Sequence, residues 1–201
     1  MNLTSLDSHT VDLDLLPEAP VVMDVGARNF QFARLILETR PNARVYAMDP
    51  DRAIADPGIA GLSFLNMALV ADEKTQSGYA SYSTGEGNFL TDSPVWYADV
   101  YQVPCVNIQT LMRDLGVAHW DLVKLDCEGQ EFPILEDWPG PIATQVSVEF
   151  HDHVTPGRWS AEYFRGLWKR LPDYRIVQHE PTQVGPAGVV GHWDSLLALN
   201  S

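Results

Sequence analysis

VVMDVGARNFQFARLILETRPNARVYAMDPD, Val21 to Asp51, decides the fold. Val21–Val25 is a short apolar run that stops at Gly26. Beyond it, Phe30, Ala33, Leu35, Ile36 and Leu37 recur at spacings that give a helix one apolar side. Pro41 and Asn42 close that helix, and Val45–Met48 makes a second strand. A strand that turns at a glycine into a helix N-terminus lets a ligand approach backbone N–H groups. Asp49 stands at the tip of the second strand, 23 positions after Gly26. This is close to the roughly 20-residue offset at which an acid accepts hydrogen bonds from ribose hydroxyls in nucleoside-binding βαβ units. DVGARN is not GxGxxG, because Arg28 and Phe30 stand where a dinucleotide fingerprint has small residues. The unit therefore predicts a nucleoside-type ligand without a pyrophosphate.

Working outward, Met1–Pro20 reads as an acidic lead-in with one short helix, ahead of a single domain over residues 21–201. Leu62–Val70 (LSFLNMALV) predicts a third strand, and Gly78–Asn88 an added strand and loop. Tyr101–Val106 reads as an edge strand, since Pro104 has no N–H to give to a ladder. Thr110–Leu115 predicts a helix ended by Gly116, Trp120–Leu125 a strand, Gly129–Leu135 a helix start and Ile142–Phe150 another strand. Ala161–Leu171 carries apolar residues at helical spacing. Tyr174–Gln178 and Ser195–Leu199 predict two closing strands that pair antiparallel, with a Pro- and Gly-rich loop over Pro181–Gly191. Strands alternating with helices argue for an α/β fold with a mostly parallel sheet.

Two further stretches carry chemistry. In WDLVKLDCEGQE, Trp120–Glu131, Asp126 ends a strand and Glu128 lies in the turn after it. Ligands of open α/β sheets bind outside the carboxyl ends of the strands, so both acids are expected at the same edge as Asp49. Glu131, one turn into the helix, also fits as a favourable charge at a helix N-terminus. In SVEFHDH, Ser147–His153, Glu149 and His151 share one side of a strand. The pair fits a general base, His151, oriented by Glu149. Asp126, Glu149, His151 and His153 together also fit a metal site, although no metal is assigned from the sequence.

The net charge of −14 disfavours duplex nucleic acid and anionic membranes as partners. Two cysteines far apart make no disulfide framework, and the acidic first residues are no secretory signal. No apolar run approaches the roughly 20 residues that span a bilayer. A cytoplasmic protein is expected.

VVMDVGARNFQFA, VYAMDPD, LNMALV, WDLVKLDCEGQEFPIL and VSVEFH resemble, in this order, the successive motifs of FkbM-type methyltransferases. KLDCEGQE is the most specific, similar to the family's K-[IL]-D-x-E-G-x-E. The resemblance implies a Rossmann-like class I methyltransferase fold, mostly parallel with an antiparallel closing strand. It also implies S-adenosyl-L-methionine as cofactor and a hydroxyl oxygen as methyl acceptor, on a small molecule or carbohydrate. Asp24, Gly26, Ala27 and Arg28 would hold the methionine part, Asp49 the ribose, and Met67 and Ala68 the adenine. Asp126, Glu128, Glu149 and His151 would form the catalytic side. Tyr79, Tyr82, Trp96 and Tyr97 are candidate walls of the acceptor pocket, and a homodimer is possible. The family usually has Asn where this chain has Arg28 and Gly where it has Phe30, so Arg28 either pairs with the cofactor carboxylate or turns outwards, and Phe30 narrows the pocket. A metal-dependent hydrolase and a cofactor-binding module without turnover are the alternatives.

Overall fold

The computed structural model describes residues 1–75, 77–82, 88–91, 100–151, 160–184 and 190–200. Its centre is a seven-stranded sheet built of β3 (Val21–Val25), β4 (Arg44–Met48), β5 (Leu62–Leu65), β10 (Trp120–Leu125), β11 (Ala143–His151), β12 (Tyr174–Val184) and β13 (Val190–Leu199). The spatial order is β12-β13-β11-β10-β3-β4-β5. Strands β11, β10, β3, β4 and β5 run parallel, and β13 inserts antiparallel between β11 and β12. The order reverses between β3 and β10, which opens a crevice at the carboxyl ends of both.

The two sheet faces follow from side-chain alternation. Met23, Val25, Val123, Leu125, Val146, Val148 and Phe150 enter one core with α2 (Ile108–Leu115), α3 (Glu131–Glu136) and α4 (Ala161–Arg170). Val22, Val45 and Leu122 enter the other, against Phe32, Ala33 and Ile36 of α1 (Gln31–Thr39). Helices α2 and α4 begin at side-chain caps, with Thr110 N–H donating to Asn107 Oδ1 at 2.8 Å and Tyr163 N–H to Ser160 Oγ at 3.0 Å. Gly116, at φ +65°, ends α2 as expected.

The acidic first residues depart from the lead-in expected of them. They form a hairpin of β1 (Leu3–Leu6) and β2 (His9–Asp12), then a 3-10 turn over Leu13–Leu15. Strand β2 is buried throughout. The reason lies on β11, whose apolar side chains face one core while Gln145, Ser147 and Glu149 face the other way. The hairpin covers that polar row. Asp12 exchanges two hydrogen bonds with the Gln145 side chain, at 3.0 and 3.1 Å, and Thr10 Oγ1 donates to Asp194 Oδ2 at 2.5 Å.

Two strand assignments change. Residues Leu62–Val70 do not form one strand. Asn66 turns the chain, its side-chain amide donating to the carbonyls of Asp49 and Asp51, so Leu62–Leu65 joins the main sheet and β6 (Ala68–Val70) leaves it. Nor is Tyr101–Val106 an edge: β9 (Val100–Asn107) lies between β6 and β7 (Ser77–Tyr82) in a four-stranded sheet completed by β8 (Asn88–Thr91). Pro104 is tolerated there because it sits opposite Ser77, at the end of the β7 ladder. Both closing strands run longer than expected, into Pro181–Gly191. Among the described residues no helix is long and apolar enough to cross a membrane.

Candidate active site

The crevice between β3 and β10 holds a cavity of about 280 Å³, near the lower end for small-ligand sites. Gly26, Ala27, Arg28, Asp49, Met67, Ala68, Asp126, Glu128 and Glu149 all line it. Two residues expected with them do not. Asp24 is fully buried one layer behind, and His151, 2% exposed, sits behind the acids rather than among them.

The Gly26–Asp49 side of the cavity is built from backbone. Gly26 has φ +78°, and a Cβ placed on it would meet the Asp126 carbonyl oxygen at 1.7 Å. Only glycine lets β3 and β10 close on each other here. The N–H groups of Gly26 and Ala27 both donate to Met48 O, at 2.9 and 3.0 Å, which joins the glycine turn to the tip of β4. Asp49 is 7% exposed and accepts from Arg28 N–H at 2.9 Å and Asp51 N–H at 2.8 Å. Burial pushes its pKa up, and those two N–H groups pull against the shift.

Arg28 and Phe30 receive a physical explanation. Both residues adopt the left-handed conformation, at φ +35° and +61°. Asn and Gly are the residues that tolerate this region best, so a preference for them is a backbone preference. Arg28 is exposed and lines the cavity. Phe30 does not narrow the pocket: it is buried beneath it, edge-on to Phe64 with ring centroids 5.2 Å apart.

The side of the cavity around Asp126 is built from charge. Lys124, 3% exposed, is its hinge. Its Nζ lies 3.1 Å from Asp24 Oδ1 and 3.2 Å from Asp126 Oδ2, and donates to Gly26 O at 2.9 Å. Burial alone would lower the Lys124 pKa, but the charges of Asp24 and Asp126 outweigh it and the pKa rises. That pairing explains why Asp24 never reaches the cavity. Asp126 shows the converse balance: burial favours its neutral form, while Lys124, His9 and His151 hold its pKa well below the usual carboxylate range.

His151 is not oriented by Glu149. Its Nδ1 pairs with Glu131 Oε1 at 2.9 Å, and its Nε2 faces Asp126 Oδ1 at 3.5 Å and Glu128 Oε2 at 3.7 Å. Glu131 is fully buried and also accepts from the N–H groups of Cys127 and Gly129, at 2.7 and 2.8 Å. It thus fixes the turn that presents Asp126 and Glu128, which goes beyond a favourable charge at a helix start. Burial opposes charge on His151, but Glu131, then Asp126 and Glu128, push its pKa up to about 10. Glu149 instead pairs with His192 Nδ1 at 2.9 Å, because β13 lies beside β11 with His192 opposite His151.

His9, Lys124, Glu131 and His192 complete this half. Lys124 has a local signal: a lysine among the apolar, buried residues Leu122, Val123 and Leu125. His9 and His192 have none, since pairings across the fold bring them in. His153, Trp96 and Tyr97 lie outside the described residues, as do the side chains of Tyr79 and Tyr82.

Residues 24–176 match the family model described as the methyltransferase FkbM domain. The chain belongs to the FkbM methyltransferase family. The cofactor of this FkbM methyltransferase is S-adenosylmethionine. Among solved structures, it is similar to the Methanococcus jannaschii fibrillarin pre-rRNA processing protein, with TM-score 0.56 and 10% identity over 94% of this chain and 70% of that one. Fibrillarin in a fibrillarin/Nop5p complex gives TM-score 0.52 and 11% identity over 92% and 75%. A putative hemolysin from Streptococcus thermophilus gives 0.51 and 14% over 94% and 62%. At such identities the likeness is one of fold, the Rossmann-like class I arrangement that the FkbM resemblance implies. No curated protein matches the FkbM chain.

Proposed function

We propose that this FkbM methyltransferase methylates a hydroxyl oxygen of a small polar or carbohydrate acceptor. One observation carries this reading: a single cavity joins the Gly26–Asp49 edge to the Asp126, Glu128 and Glu149 carboxylates. The residues present fit the cofactor. Gly26 and Ala27 bring the chain to the cavity wall without a long side chain, the buried Asp49 carboxylate suits two ribose hydroxyls, and Met67 and Ala68 offer an apolar wall for adenine. Bound there, S-adenosylmethionine supplies an electrophilic methyl group on a sulfonium.

The protein's own part is positional and electrostatic. The Asp126 carboxylate, kept ionised by Lys124, stands where a positive sulfonium is favoured. Glu128, on the cavity wall beside it, is placed to take the acceptor's proton. His151 is not so placed, because both of its nitrogens face carboxylates and its ring lies behind the cavity wall. It holds Asp126, Glu128 and Glu131 together as a positioning residue. The acidic surface argues against a nucleic-acid acceptor. Family membership favours this reading over the hydrolase that the same acids and histidines allow.

Incubation with methyl-deuterated S-adenosylmethionine and matched panels of alcohols, sugars and amines tests the proposal by mass spectrometry. Label on hydroxyl acceptors, reduced at least about tenfold by Glu128→Gln, is the expected result for loss of a general base. Label confined to amines would overturn the oxygen assignment.

A further inference from the structure

We propose that His9, Asp126 and Glu149 form a divalent-cation site at the acceptor end of the cavity. One donor atom from each of these residues lies within 4.8 Å of the others. Asp126 and Glu149 line the cavity, and His9, 1% exposed, closes the group from the N-terminal hairpin.

Spacing is the first argument. Charge-assisted N–H···O bonds run at about 2.7–2.9 Å, and the buried His151–Glu131 and His192–Glu149 pairs are both 2.9 Å. Around Asp126 the imidazoles stand off. His9 Nε2 is 3.4 Å from Asp126 Oδ2 and His151 Nε2 is 3.5 Å from Asp126 Oδ1. Ligands held about 2.1 Å from a common ion are themselves about 3.0–3.4 Å apart, from octahedral to tetrahedral.

Outer support is the second. Metal-binding histidines and carboxylates are held by partners behind them. His9 Nδ1 faces Ser147 Oγ at 3.5 Å, which leaves Nε2 aimed at Asp126. Asp126 is steadied by Lys124, and Glu149 by His192 Nδ1 at 2.9 Å. The alternative group of Glu149, His151 and His192 is already closed on itself, since His192 Nδ1 pairs with Glu149 at 2.9 Å. Charge is the third. Asp126, Glu128 and Glu149 line one cavity, a setting that favours a cation, and among the described residues Lys124 is the one ammonium beside them, with the His9, His151 and His192 imidazoles as further groups there that can carry positive charge.

One imidazole and two carboxylates suit Mn²⁺, Fe²⁺ or Zn²⁺, with coordination positions left for an acceptor hydroxyl. The ion would make that hydroxyl more acidic. Its O–H bond breaks, the proton passes to Glu128, and the electron pair stays on the oxygen. This role rests on the methyltransferase reading above, whereas the site itself does not.

The test is a titration of the chelator-stripped full chain with Mn²⁺, followed by the loss of free-ion electron paramagnetic resonance signal. A parallel calorimetric titration uses S-adenosylhomocysteine. One ion per chain is expected, with affinity weakened at least tenfold by Glu149→Gln and by His9→Gln. Asp72→Asn, in a surface turn, is expected to leave it unchanged. Circular dichroism establishes that each variant is folded, and Glu149→Gln, at the cavity wall, serves if His9→Gln does not fold. Failure of the folded protein to bind Mn²⁺ or Zn²⁺ at millimolar concentration overturns the site, as does binding indifferent to Glu149→Gln. Nucleoside binding without metal overturns the site alone. Metal binding without the nucleoside supports the site and overturns its role in methyl transfer.

Discussion

The two halves of the cavity are made in opposite ways. The half around Gly26 and Asp49 comes from one continuous stretch, Val21–Asp51, and its contacts start from backbone N–H groups: Gly26 and Ala27 on Met48, Arg28 and Asp51 on Asp49. The half around Asp126 draws on the N-terminal hairpin, β10, the turn into α3, β11 and β13, and is held by ion pairs. Local chain geometry can place a glycine and an acid with few partners. A cluster of like charges needs cations and donors brought in from elsewhere, and here they come from His9, Lys124, His151 and His192.

The sharpest way to break this contrast is Lys124→Met. It leaves Asp24, fully buried, without its cation, and removes one of the partners of Asp126. Breaking a buried pair on one side costs about 3–5 kcal/mol. Denaturant unfolding should show a loss of that size, and a loss below about 1 kcal/mol would mean that ion pairs do not hold this half. Glu131→Gln comes next. It keeps the shape but removes the charge that serves Cys127 N–H, Gly129 N–H and His151, with an expected cost of about 1.5–3 kcal/mol for hydrogen bonds to a charged group. Unchanged thermal stability would contradict the role given to Glu131.

The half around Gly26 and Asp49 predicts a smaller effect of opposite sign. Arg28 sits at φ +35° with its side chain exposed, so Arg28→Asn relieves left-handed strain and should raise stability by up to about 1 kcal/mol. Phe30→Gly relieves the same kind of strain but deletes a buried ring, and should destabilise. If Arg28→Asn lowers the melting temperature, left-handed strain is not what Arg28 carries at this position.

The same division governs what the sequence reveals. The β3–α1–β4 unit, Gly26 and Asp49 are legible because the strand, the turn and the acid are neighbours in the chain. KLDCEGQE is legible because its acids lie within one turn. His9 is not, for its acidic surroundings read as a lead-in, and only the polar row Gln145, Ser147 and Glu149 on β11 explains why a buried hairpin must cover it. The orienting partner of His151 is missed for a related reason. Glu149 is nearest in sequence and shares its side of the strand, but β13 brings His192 against Glu149, and α3 brings Glu131 to His151. The break at Asn66 is hidden because apolar residues flank it on both sides in LSFLNMALV, and only the carbonyls of Asp49 and Asp51 reveal what its amide binds.

The central claim is that the Gly26–Asp49 edge holds the adenosyl cofactor. Calorimetric titration of S-adenosylhomocysteine into the wild-type chain and into Asp49→Ala tests it most directly. The account predicts micromolar binding to the wild type, weakened about 10- to 100-fold in the variant, the equivalent of about 1.5–3 kcal/mol for hydrogen bonds to a charged group. Equal affinity in the two proteins, or no binding by the folded wild type, would contradict it.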